Sequence, residues 1–381
     1  MVIGKEEMEV RLDGQGIPLW LCMEVTYRCP LQCPWCNNPL DYDTYRKHEL
    51  STDEWFRVLH EGREMGALQI GLTGGEPMMR DDIVEITAEA GRLGYYTNLI
   101  TGGVGLTKDK LEALKEAGLN QIQLSIQSCD PAITNKLIGA DAHDKKMQVA
   151  RDIKALDFPL SLNIPVCRES IDQTKEILDM CEEVEADYLE YVQIQYYNWA
   201  LHNRDELLPT KEQVKRSEQL VNEARERLGK KMTIYFVVPD YHDKFPKACM
   251  NGWGAIHLTI APDGTAMPCQ EARAIKEIDF PSVRDHDLSW IWHESPAFNL
   301  YRGEDWMKEP CRSCDDKEKD VGGCRCQAYL LTGDATNTDP VCYKSPHHYI
   351  VEEAITEASR PGRNTLPYVM RSVQSAASLR E

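Results

Sequence analysis

Positive charge and long apolar runs are both scarce in this chain of 381 residues. Lys and Arg number 43 against 62 Asp and Glu, which gives a formal net charge of −19. Nucleic-acid binding needs clustered Lys and Arg, so this balance argues against a nucleic-acid partner. No segment approaches the roughly 20 apolar residues of a membrane span, and the opening residues MVIGKEEMEVRLDGQG lack the apolar core of a signal peptide. We therefore expect a cytoplasmic protein without a membrane partner.

Cysteine, by contrast, is abundant, with 14 residues in a chain that we expect in a reducing compartment. Disulfides are rare there, so metal binding and catalysis are the first roles to consider. The cysteines form two groups near the two ends of the chain. The first is Cys29, Cys33 and Cys36, and the second is Cys249, Cys269, Cys311, Cys314, Cys324, Cys326 and Cys342. The remaining Cys22, Cys129, Cys167 and Cys181 match no ligand pattern, and we expect them to be buried structural residues.

Short apolar runs alternate with amphipathic segments six times between about residues 18 and 195. This alternation predicts an α/β fold with a parallel sheet and helices outside it. Six units favour a partial (β/α)6 TIM-like barrel over a complete barrel of eight, and an open doubly wound sheet is the alternative. Farther along, the pattern predicts a polar helix at 211–228, a strand at 232–238 and a hairpin at 255–269 with a Pro-Asp-Gly turn.

Three regions follow from these patterns. We expect residues 1–240 to form the core α/β domain and residues 241–350 a second domain, whose part from about 305 to 345 is dense in Cys, Asp and Gly. Such a region has little apolar core of its own and needs metal to fold. We expect residues 351–381 to form a C-terminal helix and a flexible, loosely ordered tail.

The first cysteine group has the spacing C-x3-C-x2-C, in the segment TYRCPLQCPWCNNP after the first predicted strand. Three thiolates on one loop can hold three irons of a [4Fe–4S] cluster, which leaves the fourth iron open to another ligand. A zinc site is the alternative, although zinc sites usually pair two C-x2-C knuckles. With Trp35 as the aromatic residue of C-x3-C-x-aromatic-C, the loop resembles the signature of the radical S-adenosylmethionine (SAM) superfamily.

The resemblance implies that Cys29, Cys33 and Cys36 hold the cluster and are the catalytic residues, with Trp35 at the SAM site. SAM then chelates the open iron, and one electron splits it into methionine and a 5′-deoxyadenosyl radical. A motif that looks like the superfamily's GGEP ends the second predicted strand and would contact the SAM amino group. Further SAM contacts are implied at polar positions in the fourth and fifth strands, where core hydrogen bonding is the alternative. These predicted SAM-binding residues are Gly74, Gly75, Glu76, Pro77, Ser125, Gln127 and Asn163.

The second cysteine group resembles a SPASM domain, the auxiliary-cluster domain of radical SAM enzymes that modify peptides. The SPASM pattern normally reads C-x2-C-x5-C-x3-C, and here Asp320 stands at the third position. The resemblance implies two auxiliary clusters, [4Fe–4S] or [2Fe–2S], and a carboxylate ligand would shift the potential of the second. The implied ligands are Cys249, Cys269, Cys324 and Cys326 for auxiliary site I, and Cys311, Cys314, Asp320 and Cys342 for auxiliary site II. The substitution at Asp320 could instead mean a lost ligand, although its spacing favours ligation. Asp315 and Asp316 are rival ligands, and a structural zinc ribbon is the alternative for the whole group.

The run from about residue 18 to 348 is similar to one subfamily, the PqqA peptide cyclases (PqqE) of pyrroloquinoline quinone (PQQ) biosynthesis. The segment VTYRCPLQCPWCNNPLD, Asp320 and the pair Cys324-x-Cys326 carry this resemblance. It implies that the deoxyadenosyl radical abstracts a hydrogen from the γ-carbon of a glutamate in the precursor peptide PqqA. The carbon radical then attacks a tyrosine ring and forms a C–C bond. The implied partners are PqqA, the carrier protein PqqD and an electron-donor protein.

Two other functions stay open on the sequence. One is another SPASM peptide or protein maturase, either sulfatase-maturing or thioether-forming. The other is a non-catalytic Fe–S or zinc scaffold, against which the GGEP motif argues. For the base that would take the ring proton, the sequence offers Tyr196, Tyr197 and His202 as candidates, each of which is more often a packing or surface residue.

Overall fold

The computed structural model describes residues 16–237, 240–362 and 365–380. In these residues nine strands form one sheet, in the order β7-β6-β5-β4-β3-β2-β1-β8-β9. Neighbouring strands are parallel except β8 and β9, which are antiparallel. The strands are β1 Trp20–Thr26, β2 Gln69–Gly74, β3 Tyr96–Thr101, β4 Gln121–Ser125, β5 Leu160–Val166, β6 Tyr188–Gln193, β7 Thr233–Val237, β8 His257–Ile260 and β9 Ala266–Met267.

The winding of the sheet distinguishes the two predicted architectures. Strands β1 to β7 follow one another across the sheet in chain order, whereas a doubly wound sheet reverses its strand order at a switch point. A single cavity is lined by residues from β1 through β7, so the sheet curves around it. The predicted partial barrel is therefore confirmed. The sheet also extends past the six predicted units, through β7 on one side and β8 on the other.

Helices connect the strands and continue into the C-terminal half. Those of the barrel region are α1 Thr52–Glu64, α2 Ile83–Arg92, α3 Lys108–Glu116, α4 Pro131–Ile138, α5 His143–Ala155, α6 Thr174–Glu183, α7 Asn198–His202, α8 Arg204–Leu207 and α9 Lys211–Leu228. Those that follow are α10 Leu288–His293, α11 Pro296–Asn299, α12 Lys317–Asp320, α13 Arg325–Thr332, α14 Tyr349–Ser359 and α15 Val373–Arg380. Within the described ranges, no helix combines the length and the apolar character needed to cross a membrane.

Local sequence signals account for the ends of several helices. Helix α1 begins at a capping box, in which Ser51 Oγ accepts the backbone N–H of Glu54 and the Glu54 carboxylate accepts that of Ser51 at 2.7 Å. Thr210 and Gln213 cap α9 in the same way, and this helix has the bounds predicted from the sequence. Each box satisfies backbone donors that a helix start otherwise leaves free.

The predicted hairpin brings the second cysteine group to the edge of the barrel. Its turn places Gly264 at a φ of +90°, and the Gly264 N–H donates to Ala261 O at 2.9 Å. Strand β8 pairs with β1, so the residues after β9 return to the inner face of β1. There Gln270 Nε2 donates to Cys22 Sγ at 3.3 Å. Cys269 therefore lies beside the barrel although it belongs to the C-terminal half.

The C-terminal residues differ from the expectation of a loosely ordered tail. Residues 365–380, which we call the C-terminal strap, return to the barrel after α14. Val369 N donates to Asn203 Oδ1 at 2.7 Å, and Asn203 Nδ2 donates back to Val369 O at 2.9 Å. Ala376 in α15 is fully buried. These contacts join residues far apart in the chain, which local composition does not encode.

Candidate active site and auxiliary metal sites

A cavity of about 870 Å³ lies on the concave face of the sheet. Strand residues line it with a period of two, because alternate side chains of a strand point to one face. They include Tyr96, Asn98 and Ile100 in β3, Gln121, Gln123 and Ser125 in β4, Asn163 and Pro165 in β5, and Tyr188, Glu190 and Val192 in β6. Residues 27–36, which we call the cluster loop, follow the carboxyl end of β1, and Cys29, Cys33, Trp35 and Cys36 all line the cavity.

The three cysteines of the cluster loop have the chemistry of a cluster site. Burial, together with charge on the neighbouring thiolates, raises the pKa of Cys29 to about 12 and that of Cys33 to about 11. Thiolates this close together need a cation, and ligation replaces their protons. In the described part of the chain, no three His, Cys, Asp or Glu side chains are placed to hold one metal ion. The donor set fits a multi-iron cluster, in which each cysteine binds a different iron.

The GGEP residues are clamped to the base of the cluster loop. Gly75 N donates to Thr26 O at 2.6 Å, and Glu76 N donates to Arg28 O at 2.8 Å. Glu76 is fully buried, and its carboxylate accepts Thr101 Oγ1 at 2.7 Å and the backbone N–H of Gly102 at 2.8 Å. Burial raises the pKa of Glu76 despite these donors. The carboxylate thus joins the ends of β2 and β3.

Three members of the GGEP motif line the cavity, and the fourth does not. Gly74 and Gly75 line the cavity beside Glu76. Pro77 opens a short 3-10 turn and is buried outside the cavity lining. The motif therefore brings backbone and one carboxylate to the cavity, and its contact with SAM stays a prediction.

The predicted contacts on β4 and β5 also line the cavity. Gln127 Nε2 donates to Ser125 Oγ at 3.1 Å, so these two side chains meet as their spacing predicted. Lys146 of α5 joins them, and its Nζ donates to Ser125 O at 2.8 Å and to Gln127 Oε1 at 3.1 Å. Asn163 is paired with Ser125 across β4 and β5, but its side chain donates to Glu190 Oε2 at 3.0 Å. Each of these side chains has a partner within the protein as well as a face on the cavity.

Sequence reasoning missed four charged residues of the cavity wall. They are Glu24, Lys146, Glu190 and Arg371. Burial lowers the pKa of Lys146 to about 8 and raises that of Glu24 to about 7. A charged residue inside an apolar strand was the available signal for Glu24 in β1 and Glu190 in β6. Lys146 and Arg371 reach the cavity from a helix and from the C-terminal strap, so no strand pattern marks them.

The structure brings the four cysteines of auxiliary site I together. Hydrogen bonds from Cys249 and Cys326 lower the pKa of Cys324 well below its usual value. Cys269 is hydrogen-bonded to Cys326. The backbone N–H of Cys324 also donates to Asp339 Oδ2 at 2.8 Å. Cys249 contacts Cys324, Cys324 contacts Cys326, and Cys326 contacts Cys269. Four cysteines gathered in this way are the donor set of an Fe–S cluster.

Auxiliary site II combines three cysteines with one carboxylate. Asp320 ends α12, is 8 % exposed, and accepts the backbone N–H of Gly322 at 2.9 Å. After burial, the main influences that raise the pKa of Cys342 are the charges of Asp320 and Cys311. Cys314 completes the set and accepts a hydrogen bond from Lys344 Nζ at 3.0 Å.

The rival carboxylates at auxiliary site II are placed differently from Asp320. Asp315 is exposed. Asp316 pairs with Lys319 at 2.8 Å and with Lys344 at 3.5 Å. Ammonium groups therefore already compensate the charge of Asp316, whereas Asp320 accepts only a backbone donor in the hydrogen bonds described for it.

Three sequence-based candidates for the base lie outside the cavity lining. The Tyr197 hydroxyl donates to Cys324 Sγ at 3.2 Å, so it belongs to auxiliary site I. Tyr196 is buried against Tyr241, and His202 is exposed. The structure thus gives none of the three a position beside a substrate in the cavity.

Three of the four cysteines expected to be structural are buried, and one is partly exposed. Cys22, Cys167 and Cys181 are buried, as predicted. Cys129 is partly exposed, because it follows β4 on the outer side of the barrel near α5 and α6.

Comparison with known families assigns the class of this protein. The model of the radical SAM superfamily matches residues 23–181, and the SPASM model, an iron–sulfur cluster-binding domain, matches residues 249–315. Together the two matches cover more than half of the chain. The chain belongs to the radical SAM superfamily and carries a SPASM domain. Its cofactors are accordingly SAM with a [4Fe–4S] cluster, and auxiliary Fe–S clusters.

Solved structures show the same fold. SuiB of Streptococcus suis bound to S-adenosylmethionine is 18% identical with a TM-score of 0.71, and the match covers 86% of this chain and 78% of that chain. SuiB bound to the precursor peptide SuiA gives a TM-score of 0.73 at 18% identity, covering 86% of this chain and 76% of that one. The enzyme anSMEcpe with bound AdoMet is 15% identical with a TM-score of 0.61, covering 90% of this chain and 93% of that one.

Proposed function

We propose that this protein is a PqqA peptide cyclase, which joins the side chains of a glutamate and a tyrosine in PqqA during PQQ biosynthesis. The observation that carries the proposal is Asp320. It stands where SPASM domains usually have a cysteine, and it is buried beside Cys311 and Cys342. A ligand set of three cysteines and one aspartate is the feature by which the sequence resembles the cyclase subfamily.

The proposal assigns the chain three regions and three metal sites. Residues 1–240 form the radical SAM core, residues 241–350 the SPASM domain, and residues 351–381 a C-terminal region. Cys29, Cys33 and Cys36 hold the SAM cluster. When bound, the cluster and SAM supply a 5′-deoxyadenosyl radical at the cavity. The remaining ligands are those of auxiliary sites I and II as described above.

The chain's own residues would bind and orient the peptide in the cavity. Glu190 accepts Gln123 Nε2 at 2.7 Å and Ser161 Oγ at 3.1 Å, so its carboxylate is fixed in the middle of the wall. Such a fixed acceptor orients a donor of the substrate, because its hydrogen bonds hold it in one rotamer. Tyr188 and Tyr235 extend the lining towards the edge of the sheet. The predicted SAM contacts Ser125, Gln127 and Asn163 lie between this wall and the cluster loop.

A peptide substrate is supported by the SPASM domain and by SuiB, which has been solved with its precursor peptide. The cavity of about 870 Å³ is within the usual range for sites that enclose small ligands, about 300–1,000 Å³, so SAM and two side chains can share it. In this proposal PqqD presents the PqqA peptide, an electron-donor protein reduces the SAM cluster, and all of them act in the cytoplasm.

The test is an anaerobic assay of the iron-reconstituted protein with SAM, a low-potential reductant, PqqA and PqqD. We expect 5′-deoxyadenosine together with a peptide that is lighter by two hydrogens and cross-linked from Glu to Tyr on fragmentation. One hydrogen leaves from the glutamate γ-carbon and one from the tyrosine ring. A Cys36→Ala variant is the control for radical chemistry, and it should give neither product.

The other outcomes separate the alternatives. Deoxyadenosine with an unchanged PqqA peptide would contradict the cyclase and favour another SPASM peptide or protein maturase. A wild-type protein with its full iron content but no deoxyadenosine would support a scaffold that binds peptide without catalysis.

A further inference from the structure

The C-terminal strap is tied to the cluster loop by three sets of hydrogen bonds. The backbone N–H of Arg371 donates to Gln32 O at 3.2 Å, and its guanidinium donates to Tyr27 O at 2.6 Å. Asn203 makes the third tie, because its Nδ2 lies 2.9 Å from both Val369 O and Pro34 O. The strap therefore holds the cluster loop at its start, its middle and its end.

The Arg371 side chain carries a positive charge into the wall of the SAM cavity. Only 3 % of Arg371 is exposed, and its guanidinium carbon lies 3.8 Å from the centre of the Tyr42 ring. It lines the cavity together with Cys33 and Cys36. Its Nε–H is buried and has no hydrogen-bond partner among the described residues. Burial of a charge with an unused donor is costly unless a negative group faces it.

The group that would face this charge is a cluster held by Cys33 and Cys36. Arg371 and Lys146 both line the cavity that these two cysteines border. An Fe–S cluster held there would concentrate negative charge on its thiolates and sulfides. Cluster potentials respond to nearby charge and to hydrogen bonds at sulfur.

We propose that Arg371 is a positioning residue of the radical SAM site, which fixes the cluster loop and stabilises the reduced cluster with its charge. The C-terminal strap is then part of the active site, although it lies about 335 residues after the last of the three cysteines, Cys36, and outside both family matches. The inference rests on the radical SAM class and not on the identity of the peptide.

The test is an EPR-monitored redox titration of the anaerobic, iron-reconstituted full chain. The signal to follow is the one that changes when SAM is added, which separates the SAM cluster from the auxiliary clusters. The variants are Arg371→Gln, which removes the charge, and Arg371→Lys, which keeps it. Arg360→Gln is the matched control, because Arg360 is also C-terminal but 68% exposed and paired with Glu357 at 3.6 Å.

We expect Arg371→Gln to lower the ratio of reduced to oxidised cluster about tenfold at a fixed potential, or about 59 mV for a one-electron couple. Arg371→Lys should recover most of this change, and Arg360→Gln should match the wild type. A midpoint potential of Arg371→Gln equal to that of the wild type would overturn the proposal. If Arg371→Gln binds no iron at this site, Arg371→Lys decides between the two roles. An Arg371→Lys variant with its full iron content and a near-wild-type potential would support the role of the positive charge. Loss of iron from Arg371→Lys as well would overturn that role and leave Arg371 as a residue that only holds the cluster loop in place.

Discussion

Replacing Gly75 by alanine tests whether the GGEP backbone supports the cluster loop. A Cβ at position 75 would lie 2.8 Å from Tyr27 O and closer still to Arg28 O, and real Cβ atoms essentially never approach within 3.0 Å. Both neighbours are backbone atoms, so no side chain can rotate away. The cluster loop and the end of β2 must therefore separate by at least a few tenths of an ångström.

The size of the effect follows from what the separation disturbs. Overpacking of a rigid site typically costs about 1–3 kcal/mol. The two hydrogen bonds at this corner, from Gly75 N to Thr26 O and from Glu76 N to Arg28 O, contribute about 1 kcal/mol each. Partial relaxation of the backbone lowers both the overpacking cost and the loss of hydrogen bonding. We therefore expect Gly75→Ala to reduce the free energy of unfolding by about 3 kcal/mol.

The assay is denaturant unfolding of the anaerobic holoenzyme, followed by cluster absorbance and by tryptophan fluorescence, with SAM affinity measured in parallel. Gly94→Ala is the control, because Gly94 has a φ of +78° but no atom within 4 Å of an added Cβ. It should show only backbone strain, about 1 kcal/mol. The reasoning is refuted if Gly75→Ala is no less stable than Gly94→Ala and binds SAM like the wild type.

Three further predictions concern the second domain and its junction with the barrel. Asp320→Ala should lose iron from auxiliary site II in elemental analysis, whereas Asp315→Ala, at an exposed position, should keep it; equal iron in both would contradict Asp320 as a ligand. Hydrogen bonding to Arg284 lowers the pKa of Glu54 to about 2, so the pair, 2.6 Å apart, stabilises above about pH 4.5 and is lost as the pH falls towards 2. A double-mutant cycle with Glu54→Gln and Arg284→Gln should give a coupling of about 0.5–1 kcal/mol at pH 7 that disappears at pH 2. Burial lowers the pKa of His257 to about 4, so stability should fall from about pH 6.5 to 4 by up to about 3 kcal/mol; an unchanged pH profile in His257→Gln would rule this out.

Much of the fold could be predicted because its signals are local. Alternating runs marked the parallel strands, and capping residues marked α1 and α9. The signal for the cluster loop was also local, because Cys29, Cys33 and Cys36 lie within eight residues of sequence after β1. The period of two predicted that Ser125, the last residue of β4, and Gln127 share a face, and their side chains are hydrogen-bonded.

Tertiary structure alone decided which charges face the cluster loop. Lys146 arrives from a helix and Arg371 from the strap, and each is surrounded in the sequence by residues with no related role. The prediction of a loose tail failed to anticipate the strap for the same reason, because its ties to Tyr27, Gln32 and Asn203 span the length of the chain.

The sequence by itself therefore determined the class of fold, the cysteine ligands to test and the likeness to the radical SAM superfamily. These depend on short-range spacing, which covalent geometry and the periods of helix and strand translate directly into position. The electrostatic surroundings of the cluster loop were decided by packing, because the residues that supply them become neighbours only when the barrel and the strap fold together.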